Sequence, residues 1–93
     1  MQDIMELSGF LKALSDPTRL RIIEYLSRAG NPRCVGAISK HINVSQSAIS
    51  QHLRILRQAN LVKSERRGYH IHYEVNEEIL NDNLSKLRDF LKK

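Results

Sequence analysis

The chain has 93 residues, a formal net charge of +5 and a single cysteine, and this length allows one domain with a small core that a partner subunit often completes. One cysteine excludes an internal disulfide framework. The sequence also lacks an apolar run long enough to cross a bilayer and a basic signal-peptide start, so we expect a soluble, cytoplasmic protein without membrane contact.

The first two predicted elements are helices separated by a short break. Apolar residues recur at helical spacing over about 3–14, which predicts the first helix. Asp16 can cap a second helix, and Pro17 suits its first turn because that position needs no N–H. The second helix is expected to end near 29–30, and a loop is expected at 31–33.

Two further helices form a predicted helix-turn-helix. A short helix over about 34–42 is expected to stop at Asn43, a residue type that tolerates the left-handed conformation. Ser45 can cap the fourth helix. The apolar residues of that helix recur at the spacing of one buried stripe: Ile49, Leu53 and Leu56. Two helices joined by about three residues, the second with a polar outer face, are typical of this motif.

The outer face of the fourth helix has an uncommon composition. It carries Ser47, Ser50, Gln51, Arg54 and Gln58, without the oppositely charged pairs four residues apart that support a merely solvated helix. Short hydrogen-bonding groups with a long cation suit a surface that closely approaches a partner and offers it donors and acceptors.

The charge distribution indicates what kind of partner this is. Residues 25–73 contain eight Lys or Arg and one Glu, and no carboxylate lies between Glu24 and Glu65. A carboxylate near phosphate would be repelled, so a segment without acids is typical of binding to a polyanion. The alternative is a chance excess of surface Lys and Arg.

The pattern changes after the fourth helix. Residues 61–66 and 69–75 are expected to be strands joined by a basic turn at 67–68, because apolar and polar residues alternate in the second of them. Asn76 can cap a last helix over about 77–92. This element order predicts a mainly α fold with a β-hairpin wing, a winged helix-turn-helix that fills the single domain 1–93.

The first and last helices carry more apolar surface than one small core absorbs. We therefore predict that they form the interface of a homodimer. The predicted interface residues are Ile4, Leu7, Leu11, Leu80, Leu84, Leu87 and Leu91. The alternative is that both helices pack within one chain onto the helix-turn-helix.

Three segments resemble the ArsR/SmtB family of small dimeric repressors. They are "LSDPTRLRIIEYL" (14–26), "VSQSAISQHLRILRQANLV" (44–62) and "RRGYHIHYEV" (66–75). The resemblance covers most of the chain. It implies a homodimer that binds an inverted-repeat operator in double-stranded DNA and leaves it when an effector, often a metal ion, changes its shape.

The predicted DNA contacts lie on the fourth helix and the wing. Glutamine can pair with adenine and serine with several bases, whereas arginine and lysine mostly hold phosphates. The resemblance implies that His52 is a fixed position of the family motif and contacts the DNA backbone. The predicted contact residues are Gln46, Ser47, Ser50, Gln51, His52, Arg54, Arg57, Lys63, Arg66 and Arg67.

The sequence departs from the family at both of its usual metal sites. For one site the resemblance implies a pair of cysteines in the third helix, but "RCVGAI" (33–38) has only Cys34, with Gly36 at the second position. For the other it implies Asp and His ligands along the last helix, and that helix has no histidine. One thiolate makes a poor soft-metal site. We therefore predict no metal and no cofactor, and an unidentified small molecule is a candidate effector.

Two alternative hypotheses remain, a metal site on the wing and a redox role for the cysteine. His70 and His72 lie on one face of a predicted strand, so one metal could contact both, although an exposed wing strand needs no special explanation. Cys34 beside Arg33 is a candidate redox thiol. A lone cysteine is more often a small buried hydrophobe.

Two other classes of protein fit this sequence less well. The sequence has no glycine-rich phosphate loop, no ligand cluster of metal-binding spacing and no carboxylate pair on the predicted working surface, so an enzyme is not expected. A winged helix that binds an acidic protein instead of DNA is the second alternative. The absence of acids on the fourth helix argues against it without forbidding it.

Overall fold

Five helices and three strands follow one another within residues 2–92. The computed structural model describes residues 2–92, so residues 1 and 93 of the predicted domain lie outside the described part. The elements are α1 Gln2–Leu14, α2 Pro17–Ala29, β1 Arg33–Cys34, α3 Val35–Ile42, α4 Gln46–Gln58, β2 Val62–Arg67, β3 His70–Val75 and α5 Glu77–Leu91. The predicted winged helix-turn-helix is confirmed.

The helix ends follow the predicted caps. Asp16 accepts hydrogen bonds from two backbone N–H groups at the start of α2, and Ser45 and Asn76 each accept one at the starts of α4 and α5. Gly30 and Asn43 end α2 and α3 in the left-handed conformation, with φ of 79° and 64°. Local side-chain chemistry therefore sets these boundaries.

The short strand β1 corrects the predicted loop at 31–33. Arg33 pairs with Tyr73 and Cys34 pairs with His72, which places β1 beside β3 in an antiparallel sheet of order β1-β3-β2. The third helix consequently begins at 35 and not at 34. Two residues are too few to produce an alternating pattern, so only the partner strand defines β1.

The turn of the wing lies one residue later than predicted. Strand β2 extends to Arg67, which pairs with His70, and the turn residues are Gly68 and Tyr69. Gly68 has φ of 64°, a conformation that favours glycine. Tyr69, predicted as the first strand residue, is 98% exposed at the wing tip.

The core joins the helix-turn-helix to both terminal helices and the base of the wing. Its fully buried members come from α2, α3, α4 and the start of the wing: Ile22, Ile38, Ile49, Leu53, Leu56 and Leu61. Leu7 and Phe10 of α1 belong to the same cluster, and Leu80 and Leu87 of α5 pack against it. No helix within residues 2–92 combines the length and apolar composition needed to cross a membrane.

Candidate nucleic-acid interface

Helix α4 separates its apolar and polar residues sharply. Ile49, Leu53 and Leu56 are buried almost completely, and this anchors the helix against the core. The opposite side carries exposed polar residues: Gln46, Ser47, Ser50, Gln51 and Arg54. The predicted base-reading side chains therefore project together from one strip of the surface, which has no carboxylate.

The wing adds cations beside this strip. Lys63 lies 3.9 Å from Glu74 and Arg67 lies 3.4 Å from Glu65, both as exposed ion pairs. Such surface pairs contribute only about 0–1 kcal/mol, so a phosphate can compete for either cation. Arg66 is exposed and has no ion-pair partner among residues 2–92.

A groove of about 500 Å³ lies between α4 and the wing. Its lining residues are Ser50, Leu53, Arg54, Arg57, Gln58 and Tyr73. Two arginines on successive turns of α4 face this groove, and Tyr73 of β3 forms its other side. A strip of hydrogen-bonding groups next to a cationic groove matches base edges beside a phosphate backbone.

Carboxylates cluster where α1 meets α5. Lys86 of α5 lies 3.1 Å from Glu6, 3.3 Å from Asp82 and 3.7 Å from Asp3. Hydrogen bonds to Glu6 and then to Asp82 raise the pKa of Lys86 above its ordinary value. The molecule thus has a cationic face at α4 and the wing and an acidic cluster at the terminal helices.

The ring of His52 faces the start of α2. Its Nδ1 lies 3.2 Å from Nη1 of Arg19 and 3.9 Å from Oδ2 of Asp16. The backbone N–H of Arg19 lowers the pKa of Asp16 below its ordinary value, and the backbone N–H of Thr18 adds to this effect. Only Nε2 of His52 is left for the DNA backbone contact that the family resemblance implied.

The predicted interface residues fall into two groups. Ile4, Leu11, Leu84 and Leu91 are exposed by 52%, 42%, 47% and 69%. Leu7 lies in the core of the chain, and Leu80 and Leu87 are half-buried against that core. Phe90 of α5 joins Ile4 and Leu11 of α1 at an apolar depression of about 370 Å³. Both predicted roles of these helices, internal packing and an outward apolar face, are therefore present in one chain.

The candidate redox and metal residues lie on the sheet. Cys34 is half-buried at the start of α3 and opposite His72 of β3. His70 is exposed, whereas Nδ1 of His72 is enclosed and has no hydrogen-bond partner within residues 2–92. In that part of the chain no group of three or more His, Cys, Asp or Glu side chains is placed to hold a metal ion.

Sequence reasoning missed two contacts. The rings of Tyr25 in α2 and His41 in α3 stack with centroids 4.1 Å apart. Arg19 contacts both Ala13 and His52, and no local pattern reveals this because His52 lies far away in the sequence.

A winged helix that exposes an acid-free polar strip beside a cationic wing belongs to the class of winged helix-turn-helix DNA-binding proteins. Comparison with known families is more specific. Residues 16–64 match the family model described as bacterial regulatory protein, arsR family. The chain belongs to this family and is a DNA-binding transcription regulator, not an enzyme.

Individual relatives cover nearly the whole chain. It is 37% identical over 87 residues to the transcriptional repressor SdpR of Bacillus subtilis (strain 168), covering 94% of each chain. It is 40% identical to the arsenical resistance operon repressor of the same organism, covering 81% of this chain and 70% of that protein. A solved ArsR-like transcriptional regulator from Rhodococcus sp. RHA1 has a TM-score of 0.87 and 30% identity, covering 97% of this chain and 83% of that one.

Proposed function

We propose that the protein is a homodimeric transcriptional repressor that binds an inverted-repeat operator through α4 and the wing. The single observation that carries this proposal is the exposed polar strip of α4, which contains no acid and borders the wing cations Lys63, Arg66 and Arg67. Relatives named as repressors support the direction of regulation. The family is described as bacterial, so the proposed site of action is the cytoplasm, where bacterial DNA lies.

The side chains of α4 and the wing divide into two roles. Ser47, Ser50 and Gln51 contact base edges in the major groove, since serine and glutamine offer both donors and acceptors there. Gln46 and Arg54 flank them. Phosphates are held mostly by Arg54, Arg57, Lys63, Arg66 and Arg67, and the wing tip reaches toward the minor groove.

Dimerisation uses the exposed apolar residues of α1 and α5. Large apolar groups gathered on two neighbouring helices are usual at protein interfaces. Ile4, Leu11, Leu84 and Leu91 supply this surface, with Phe90 between the helices. A two-fold axis through it sets two copies of α4 about one DNA turn apart, roughly 34 Å.

Regulation does not use the usual metal sites of the family. The third helix supplies one thiol, Cys34, and Gly36 stands where a second ligand would be needed. Release from DNA then depends on the chemistry of Cys34, on a small-molecule effector or on the amount of the protein.

The experiment that tests this function is binding-site selection from a random pool of duplexes. We expect enrichment of an inverted repeat whose half-sites are about 10–10.5 base pairs apart. A parallel salt titration compares the selected duplex with polyglutamate, an acidic polypeptide. Tighter binding to polyglutamate, or no enrichment of any sequence, would contradict the proposal and favour a protein-binding winged helix.

A further inference from the structure

One arginine side chain connects two helices that have different proposed roles. Arg19, in the first turn of α2, donates from Nε to the carbonyl oxygen of Ala13 at 2.6 Å. Its Nη1 lies 3.2 Å from Nδ1 of His52. Ala13 lies in the last turn of α1 and His52 in the middle of α4. The guanidinium thus links a proposed dimerisation helix to the DNA-contacting helix.

This contact decides which ring nitrogen of His52 carries the proton. Arginine can only donate hydrogen bonds, so Nδ1 of His52 must be the acceptor. The competing partner, Oδ2 of Asp16, lies 3.9 Å from Nδ1, which is too far for a hydrogen bond. An Nδ1 that accepts this bond carries no proton, so the contact favours the tautomer with its proton on Nε2.

We propose that Arg19 is a positioning residue for DNA binding and that His52 acts as its acceptor, not as a contact to DNA. This inference rests on the proposed function, because the effect appears as a change in operator affinity. Apolar contacts from Ile49 and Leu53 hold α4 on the core, but such contacts are non-directional. The planar guanidinium of Arg19 donates hydrogen bonds in fixed directions, so it also sets the orientation of α4 on the core.

The geometry matters because a dimer presents two copies of α4 to one duplex. The separation of those copies depends on how α4 is held relative to α1. The helical repeat of DNA fixes the distance between the two half-sites. A small rotation of α4 therefore weakens the contact of each copy of α4 with its half-site. Arg19 supplies a directional bond to each of the two helices, and both bonds are partly shielded from solvent.

Two substitutions at His52 separate a positioning role from a direct DNA contact. His52→Asn keeps a side-chain acceptor near the place of Nδ1, whereas His52→Gln moves the amide toward the place of Nε2. With the duplex that the unmodified protein selects, we expect His52→Asn to bind within about threefold of that protein and His52→Gln about tenfold more weakly. The reverse order would show that Nε2 contacts DNA and would overturn the proposal.

Substitution of Arg19 tests the other partner. We expect Arg19→Met to weaken binding about tenfold and the double variant Arg19→Met, His52→Gln to lose no more, because contacting residues are not additive. Arg21→Met removes the same charge from an exposed position of α2 and serves as the control. Equal losses in Arg19→Met and Arg21→Met would mean that charge alone matters. Circular dichroism of each variant checks the fold.

Nitrogen NMR of the free protein supplies a readout that needs no DNA. Long-range proton–nitrogen correlations should show His52 protonated on Nε2 at neutral pH, with a defined tautomer that Arg19→Met loses. A proton on Nδ1 in the unmodified protein would overturn the inference. Failure of the proposed function is distinct, since the unmodified protein would then select no duplex while the tautomer is still measured.

Discussion

Asn83 donates from Nδ2 to the carbonyl oxygen of Ile79 at 3.0 Å, one turn earlier in α5. The side chain is only 8% exposed, and its Oδ1 is enclosed without a hydrogen-bond partner among residues 2–92. An unsatisfied buried acceptor costs about 1–3 kcal/mol. The bond to Ile79 assigns Nδ2 as the donor and leaves Oδ1 as the enclosed acceptor.

Replacing Asn83 by leucine should therefore stabilise the protein. We expect Asn83→Leu to raise the free energy of unfolding by about 1 kcal/mol, which is a rise in Tm of roughly 4–8 °C for a domain of this size. Thermal unfolding at one fixed protein concentration measures this, with Asn81→Leu at an exposed position of α5 as the control. A clear loss of stability in Asn83→Leu would mean that Oδ1 has a partner in the assembled protein.

The acid sensitivity of the fold should depend on Asp16. Its pKa is lowered in the folded state, chiefly by the backbone N–H of Arg19, so its charge adds stability above the unfolded pKa of about 3.9. That contribution disappears as the pH falls through the lower folded pKa. Asp16→Asn keeps a capping oxygen but has no charge to lose.

Denaturant unfolding of the unmodified protein and of Asp16→Asn at several pH values tests the direction of this pH dependence. The stability difference between the unmodified protein and Asp16→Asn should be constant above about pH 5 and should shrink toward pH 2. The other carboxyl groups occur in both proteins and cancel in the difference. A difference that stays constant down to pH 2 would show that the charge of Asp16 does not stabilise the fold.

The oligomeric state should depend on exposed apolar residues of α1 and α5. We expect the unmodified protein to sediment as a dimer at micromolar concentration. Leu84→Glu and Leu11→Glu should sediment as monomers, because a buried unpaired carboxylate is strongly unfavourable at an interface. Leu20→Glu, at a 51% exposed site on α2, should stay dimeric. A charge at Leu87 should instead unfold the chain, since Leu87 packs against the core. A monomer for the unmodified protein would contradict the dimer.

The unmodified protein should not bind thiophilic metals, and one substitution should create a site for them. A Cβ at Gly36 would lie 3.9 Å from Sγ of Cys34 in ordinary contact, so Gly36→Cys brings two thiols together. We expect Gly36→Cys to bind cadmium with a thiolate absorption band, while the unmodified protein and Gly36→Cys in a Cys34→Ser background do not. The DNA affinity of the unmodified protein should change little with zinc or cadmium.

Zinc binding by the unmodified protein is the result that would reverse this account. If stoichiometric zinc lowered DNA affinity at least tenfold, a coupling of about 1.4 kcal/mol, His70 and His72 would be the candidate zinc ligands. Loss of DNA binding on peroxide treatment that disappears in Cys34→Ser would identify the thiol as a sensor.

The helix boundaries could be predicted because their signals are local. Asp16, Asn43, Ser45 and Asn76 act on backbone groups within a few residues, so the sequence next to each residue contains the needed information. The buried stripe of α4 was predictable for the same reason, since helical spacing alone defines it.

The remaining features depend on contacts between distant parts of the chain. Strand β1 exists through its pairing with β3. An apolar stripe indicates burial but not the surface that covers it, so Leu7 could not be separated from Leu11. The contact of Arg19 with His52 joins α2 to α4, and neither residue has a neighbour in sequence that reveals it.

The most direct test of sequence-specific DNA binding compares Gln51→Ala with Arg66→Ala on the selected duplex and on single-base variants of it. Gln51→Ala should cost about 1–3 kcal/mol and relax the preference at one base position. Arg66→Ala should weaken binding to every duplex and reduce the salt dependence by about one counterion. Arg88→Ala, on the exposed side of α5, is the control and should change neither property. The same uniform loss on every sequence for both Gln51→Ala and Arg66→Ala would contradict the assignment of α4 as the element that reads DNA sequence.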